Sequence, residues 1–443
     1  MELTTEQLQA IDKEVLWHPF TQHQTWDTQA PLVISHGEGC WLFDTDGQRY
    51  LDGISSLWTN VHGHRHPRID AAVQAQLARC AHSTMLGLTH APAIELAQLL
   101  IEKAPAGLQR VFYSDSGSSA VEIALKMAFQ CHAQTGQAQR TRFASLKDAY
   151  HGDTLGAVSV GSIDLFHKVY RPLLFEPIVL PAPTRPGGKE EAEALEQGLA
   201  LLEQHGEELS ALVVEPLVQG AAGMKMHSPH FLRTLIDAAR AKGVLIVADE
   251  VAVGFGRMGS LFAMEIVERS PDLLCLAKGL SGGYLPLAAT LATQDVYEAF
   301  LGAPEAYRQF FHGHTFTGNP LACAASVASL RLFDEEDRLS HLRDLEPLFV
   351  RHQEALEARD DVRECRRRGV MMGVDLVTAS GVPHPPERRA GHLAAMAART
   401  HGLILRPLGD TLVINPPLTI SSDELTHLFE ATHRALDDLA RSA

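Results

Sequence analysis

Two residues stand where buried strands should end, and their chemistry is complementary. Lys278 closes Pro271-Asp272-Leu273-Leu274-Cys275-Leu276-Ala277-Lys278, whose short apolar run predicts a buried strand. Asp249 follows Val244-Leu245-Ile246-Val247-Ala248 in the same way. Open α/β sheets bind their ligands at the carboxyl ends of the strands. An amine and a carboxylate delivered to that edge suit pyridoxal phosphate. A lysine forms a Schiff base with it, and an aspartate partners its pyridinium nitrogen. The protonated ring then serves as an electron sink, and the lysine, once displaced by substrate, shuttles the proton. Taken alone, Asp249 reads as a helix cap or a buried salt-bridge partner. Its pairing with Lys278 is what gives it a chemical role.

Other segments supply what such a site needs. Arg110-Val111-Phe112-Tyr113-Ser114-Asp115-Ser116-Gly117-Ser118-Ser119 reads as strand, small polar turn and helix start. Free N–H groups at a helix N-terminus attract a phosphate, Gly117 permits close approach and Ser118 adds a hydroxyl. An ordinary capped helix explains the same residues. The turn is neither a Walker loop nor GxGxxG, which speaks against nucleoside triphosphates and dinucleotides. Tyr150, in Tyr150-His151-Gly152-Asp153, is placed to stack on a flat ring or simply to pack on the core. Glu215 ends a further apolar run and orients the site or caps a turn. His62, His64 and His66 alternate, but Gly63, Arg65 and Pro67 make the segment a turn and no cysteine or carboxylate completes a ligand set. No metal is expected.

The elements that position these residues alternate between helix and strand from about 65 to 330, the pattern of a parallel sheet with covering helices. Strands are expected at 110–113, 211–214, 244–248 and 273–276, and helices at 91–103, 119–130, 190–205 and 229–242. Residues 181–188 form a loop rich in proline and glycine. Beyond about 330 the pattern changes to charged helices, then strands at 370–376 and 411–414. The expected division is a large unit over 61–334 and a small α+β unit built from 1–60 and 335–443. The 443 residues, 45% hydrophobic and 21% charged, are enough for a large core. A net charge of −16 disfavours nucleic acid. Six scattered cysteines predict reduced thiols in a cytosolic protein. The polar start Met1-Glu2-Leu3-Thr4 predicts no leader, and no apolar run is long enough to span a membrane. The run Arg366-Arg367-Arg368 is expected to be a solvated surface.

Along nearly its whole length the chain resembles the class III, fold-type I, pyridoxal-phosphate-dependent aminotransferases. The motifs are Ser116-Gly117-Ser118, Tyr150-His151-Gly152, Asp249-Glu250-Val251 with Gly254-Phe255-Gly256-Arg257, Lys278-Gly279, and Thr315-Phe316-Thr317-Gly318-Asn319-Pro320. Trp17-His18-Pro19, Ser55-Ser56 before Trp58, His62-Gly63-His64, Thr89-His90-Ala91-Pro92-Ala93 and Arg406-Pro407 resemble the branch that converts 8-amino-7-oxononanoate to 7,8-diaminononanoate in biotin synthesis. The resemblance implies that Gly117 and Ser118 hold the phosphate, Tyr150 stacks on the ring, Asp249 pairs its nitrogen and Lys278 carries it. It implies a homodimer in which Thr315, flanked by Gly313 and His314, reaches the neighbouring subunit's cofactor phosphate. It implies that Arg406 grips the substrate carboxylate, a task suited to a bidentate guanidinium. S-adenosylmethionine is the commonest amino donor of that branch. Members that use it often carry tyrosine, a tryptophan pair and proline where this chain has Phe20, Leu57-Trp58 and His314. A form that uses lysine matches Phe20, Leu57 and Gly313-His314 better. Other ω-amino acid aminotransferases, and a pyridoxal-phosphate-binding regulator without turnover, are the rival readings.

Overall fold

The computed structural model describes residues 3–441; Met1 and Glu2, the start of the polar N-terminal stretch, lie outside them. Its centre is a seven-stranded sheet in the order Leu108–Ser114, Ala288–Thr293, Leu273–Leu276, Leu245–Asp249, Leu209–Val214, Arg142–Leu146, Ile178–Leu180. Strands Leu209–Val214, Leu245–Asp249 and Leu273–Leu276 lie side by side and parallel. They are buried along nearly their whole length, so their sequences are continuously apolar and do not alternate. The register pairs Asp249 with Cys275, which brings the ends of the two central strands to one edge.

Helices cover both faces. Pro229–Ala241 begins where Ser228 Oγ accepts from Phe231 N at 3.0 Å, and proline opens its first turn. It buries Phe231, Leu232, Leu235, Ile236 and Ala239, an i, i+3, i+4 stripe. Each large side chain so buried contributes roughly 1.5–3 kcal/mol. Helices Ala91–Lys103, Gly117–Gln134 and Gly188–His205 coincide with the expected ones to within a few residues, or one turn at the end of the second.

One strand of the sheet has no sequence signal. Ala288–Thr293 runs antiparallel between Leu108–Ser114 and Leu273–Leu276. Three of its six residues are alanine, a helix former. Small side chains serve there because Gly117–Gln134 packs close above: Thr290 Oγ1 donates to Ala120 O at 2.9 Å.

Two four-stranded sheets accompany the large one, besides the two-stranded ladder of Val218–Gln219 and Lys225–Met226. In the first, Ile34–Glu38, Trp41–Asp44 and Arg49–Asp52 are joined by Leu403–Ile404 from near the other chain end. The second contains Val362–Arg368, Met371–Leu376, Thr411–Ile414 and Arg406–Leu408. The arginine run is not a solvated surface. Arg366 is buried and makes two 2.7 Å bonds to the Asp375 carboxylate, while its other N–H groups reach Met224 O and Gly223 O. Arg367 pairs with Glu346. Adjacent strand residues point to opposite faces, so a charged run in a strand inserts some of its members inward.

The histidines of the 62–66 turn each take a separate partner, although the His62 and His66 rings stay 6.0 Å apart. His62 meets Ser329 at 3.1 Å, His64 meets Asp52 at 3.0 Å and His66 meets Glu336 at 3.0 Å. All six cysteines are free thiols, five of them buried. Among the described residues no helix is long and apolar enough to cross a membrane.

Candidate active site

The carboxyl edge of the central strands opens into a cavity of about 710 Å³ lined by Lys278, Asp249, Tyr150, Glu215, Trp58 and the turn 115–118. Lys278 stands two residues beyond Leu273–Leu276 with φ of +39°, at the start of a short 3-10 turn. Its Nζ lies 4.6 Å from the centroid of the Trp58 ring. Burial lowers its pKa to about 8, against the opposing charges of Asp249 and Glu215. The amine is therefore much closer to its neutral, reactive form than an ordinary lysine.

Asp249 ends its strand and is fixed from two sides. Val251 N donates to Oδ1 at 3.0 Å, and His151 Nδ1 lies 2.8 Å from Oδ2. Burial opposes charge on His151, but the hydrogen bond and charge of Asp249 hold its pKa above the usual imidazole value. Glu215 accepts from Tyr150 N and Gly220 N, both at 3.0 Å. Burial pushes its carboxyl up to about 7. Tyr150 donates to Asp153 Oδ2 at 2.9 Å, and its ring runs parallel to His167, 6.3 Å away.

The turn before Gly117–Gln134 is capped by Ser116, whose Oγ accepts from Ser119 N at 3.2 Å. Ser118 Oγ accepts from Thr154 N at 3.0 Å and meets Thr154 Oγ1 at 2.8 Å. A Cβ at Gly117 would stand 2.5 Å from Val251 Cγ1, so only glycine fits.

Trp58 comes from an unusual segment. Ser55, Ser56, Leu57 and Trp58 have φ of +50°, +47°, +71° and +68°, a left-handed turn. Each such residue costs about 1–2 kcal/mol. Ser56 N and Oγ both donate to Asp52, at 2.8 Å. Trp58 is buried, and its Nε1 has no partner.

Not every expected site residue lies in this cavity. Phe20 and Arg406 line a second cavity, of about 740 Å³, with Arg389, His392 and Arg399. Ile54 lines that one and Trp58 the first, so the segment 54–58 serves both. An aromatic chain also links them: Phe20 to Phe166 at 5.5 Å, and Phe166 to Tyr150 at 6.1 Å. Leu57 is 45% exposed and lines neither cavity. Gly313 and Thr315 are exposed, whereas His314 Nε2 lies 3.9 Å from Asp115 Oδ1 at the cavity rim. Neither His151, although it lies inside the Tyr150-His151-Gly152 motif, nor Arg257 carries a local sequence signal of its place at the site.

The model of the class III aminotransferases matches residues 22–436. The adenosylmethionine-8-amino-7-oxononanoate aminotransferase of Nitratidesulfovibrio vulgaris is 52% identical, covering 98% of this chain and 82% of that protein. The enzyme of the same name from Geobacter sulfurreducens is 47% identical, with 98% of each chain covered. The crystal structure of the enzyme of that name from Methanocaldococcus jannaschii superposes with a TM-score of 0.93 at 39% identity, covering 97% of this chain and 98% of that one. A PLP-bound amine transaminase from an uncultivated Pseudomonas species superposes with a TM-score of 0.89 at 33% identity, covering 96% of this chain and 98% of that one.

The cavity fits pyridoxal phosphate. It offers a partly neutral amine, a buried carboxylate and a helix N-terminus at a glycine that admits no side chain. His151 Nε2 and Trp58 Nε1 are buried there with no protein partner. The sheet, the cavity chemistry and the match over 22–436 lead to one assignment: the chain belongs to the class III aminotransferases, whose cofactor is pyridoxal phosphate.

Proposed function

We propose that this aminotransferase converts 8-amino-7-oxononanoate to 7,8-diaminononanoate in biotin biosynthesis, with S-adenosylmethionine as amino donor. The supporting observation is the name shared by relatives up to 52% identical over almost the whole chain. When bound, pyridoxal phosphate supplies the electron sink for the carbanion of transamination. Lys278 holds it through Nζ and moves the proton at the carbon that loses or gains the amino group. Asp249, oriented by His151, keeps negative charge beside the ring nitrogen. Gly117 and Ser118 receive the phosphate at the helix N-terminus, and Tyr150 covers the ring. Trp58 walls the substrate cavity beside Lys278. Arg406 takes the substrate carboxylate, and Phe20 lies at the same cavity.

The protein works as a cytoplasmic homodimer without nucleic-acid or membrane partners. Supporting this are the free thiols, the net charge of −16 and exposed apolar side chains near Thr315: Phe311 and Phe316 are 66% and 58% exposed. Thr315, with Gly313 and His314, serves the partner subunit's cofactor. The chain divides into a large unit, 61–334, and a small unit from 1–60 and 335–443, a reading supported by the pairing of Leu403–Ile404 with Leu51 and Asp52.

Lysine is the second reading of the donor, favoured by Phe20, Leu57 and His314. Purified, PLP-loaded protein given 8-amino-7-oxononanoate with each donor in turn decides both points. Diaminononanoate formed with S-adenosylmethionine alone supports the proposal. Product with lysine alone replaces the donor. No product with either overturns the acceptor and leaves another ω-amino acid aminotransferase.

A further inference from the structure

Arg257 is the largest fully buried side chain of the described residues, yet no carboxylate is bonded to it. An arginine buried without an ion pair is costly and needs a compensating purpose. Its hydrogen bonds show where it is spent. Nη1 donates to Ser55 Oγ at 3.0 Å, Asn415 Oδ1 at 3.2 Å and Pro416 O at 2.8 Å. Nη2 donates to Asn60 O at 2.8 Å. Ser55 opens the left-handed turn and Asn60 follows it, and Ser55 Oγ in turn donates to Asn415 O at 2.6 Å. On the other side of the turn, buried Asp52 accepts from Ser56 N and Oγ. A guanidinium and a carboxylate thus grip a backbone conformation that the residues in it disfavour.

We infer that Arg257 is a positioning residue for transamination: it locks the left-handed turn 55–58 and so holds the Trp58 ring against Lys278 Nζ. Arg257 follows Asp249 by eight residues on one loop, so the segment that supplies the carboxylate also fixes the wall opposite the amine. The fork geometry matters, because one side chain reaches four acceptors on two chain segments and lysine cannot. Asn415 and Pro416 follow the Thr411–Ile414 strand, so the lock also ties the C-terminal part of the chain to this wall.

The test uses full-length, PLP-loaded protein in which Trp17, Trp26 and Trp41 are replaced by phenylalanine, leaving Trp58 as sole indole. In this background Arg257→Met should raise acrylamide quenching of Trp58 about threefold or more, because the turn opens locally while the fold persists. In the otherwise native chain the same variant should raise KM for 8-amino-7-oxononanoate about tenfold with kcat within about twofold, the signature of a lost binding wall. Arg257→Lys should fall between variant and parent. The KM arm rests on the proposed acceptor, whereas the fluorescence arm needs no substrate and stands if that assignment fails. Parental quenching in folded Arg257→Met protein would overturn the inference. Should that variant fail to fold or to load cofactor, Ser55→Ala removes the hydroxyl between Arg257 and Asn415. It must then show the same rise in quenching, and unchanged quenching there overturns the inference equally.

Discussion

At the scale of single residues, the useful quantity is the protonation of Lys278. Burial lowers its pKa to about 8, and only the neutral amine attacks a carbonyl. Below that pH the amine is mostly protonated and unreactive; above it, mostly neutral. The rate of covalent PLP capture by cofactor-free protein should therefore rise about tenfold per pH unit up to roughly pH 8 and level off above it. An ordinary lysine would level off only above about pH 10. Absorbance at the bound cofactor's band follows the capture, and Lys278→Ala should show none at any pH. Lys278 and Asp249 were legible because each ends a continuous apolar run, which marks both the strand and the edge where it stops. His151 was harder to find. Its role depends on a 2.8 Å contact with a residue 98 positions away, and no local pattern carries that. Arg257 was hidden for a similar reason: arginine is usually a surface residue, and all four of its partners here lie far along the chain.

At the scale of elements, the meeting of the Gly117–Gln134 helix with the loop after Leu245–Asp249 decides how close a phosphate comes to the backbone. A Cβ at Gly117 meets Val251 Cγ1 at 2.5 Å and Cγ2 at 2.9 Å. Gly117→Ala should thus weaken PLP binding about tenfold or more, which is about 1.4 kcal/mol. If the clash is the cause, Val251→Ala in the same chain should restore most of the affinity, because the two changes share one contact. Equilibrium titration of PLP into the single and double variants checks this, and additive losses would refute it. The helix and the central strands were readable from period and burial. The Ala288–Thr293 strand was not, because its alanines answer to the helix packed on it and not to strand propensity. The left-handed turn was also invisible: serine, serine, leucine and tryptophan carry no left-handed preference, and the surrounding hydrogen bonds impose it.

At the scale of the whole molecule, two connections carry the consequences. The first is the Arg366–Asp375 pair, which fastens the sheet containing Val362–Arg368 to the backbone at Gly223 and Met224. Burial disfavours the Asp375 carboxylate, but Arg366, Thr411 and Arg363 together hold its pKa down to about 2. A depressed folded pKa gives stability that is fully present above the unfolded value, about 3.9, and is lost as pH falls through about 2. Asp375→Ala should cost about 3 kcal/mol at neutral pH, because it leaves the buried guanidinium of Arg366 with Glu364, at 3.2 Å, as its only bonded carboxylate. Urea titrations should show the gap between variant and parent narrowing below about pH 4. The second is the connection proposed between subunits. Thr315 is exposed on a surface that also bares Phe311 and Phe316, and the cavity around Lys278 does not include it. If Thr315 completes the partner's site, Lys278→Ala and Thr315→Asp chains should each be inactive alone, yet restore activity when unfolded and refolded together. A mixed dimer then has one site with both defects and one with neither. Random pairing of equal amounts makes half the dimers mixed, so recovery should approach about a quarter of parental activity. A monomer, or a dimer in which each chain serves its own site, recovers nothing.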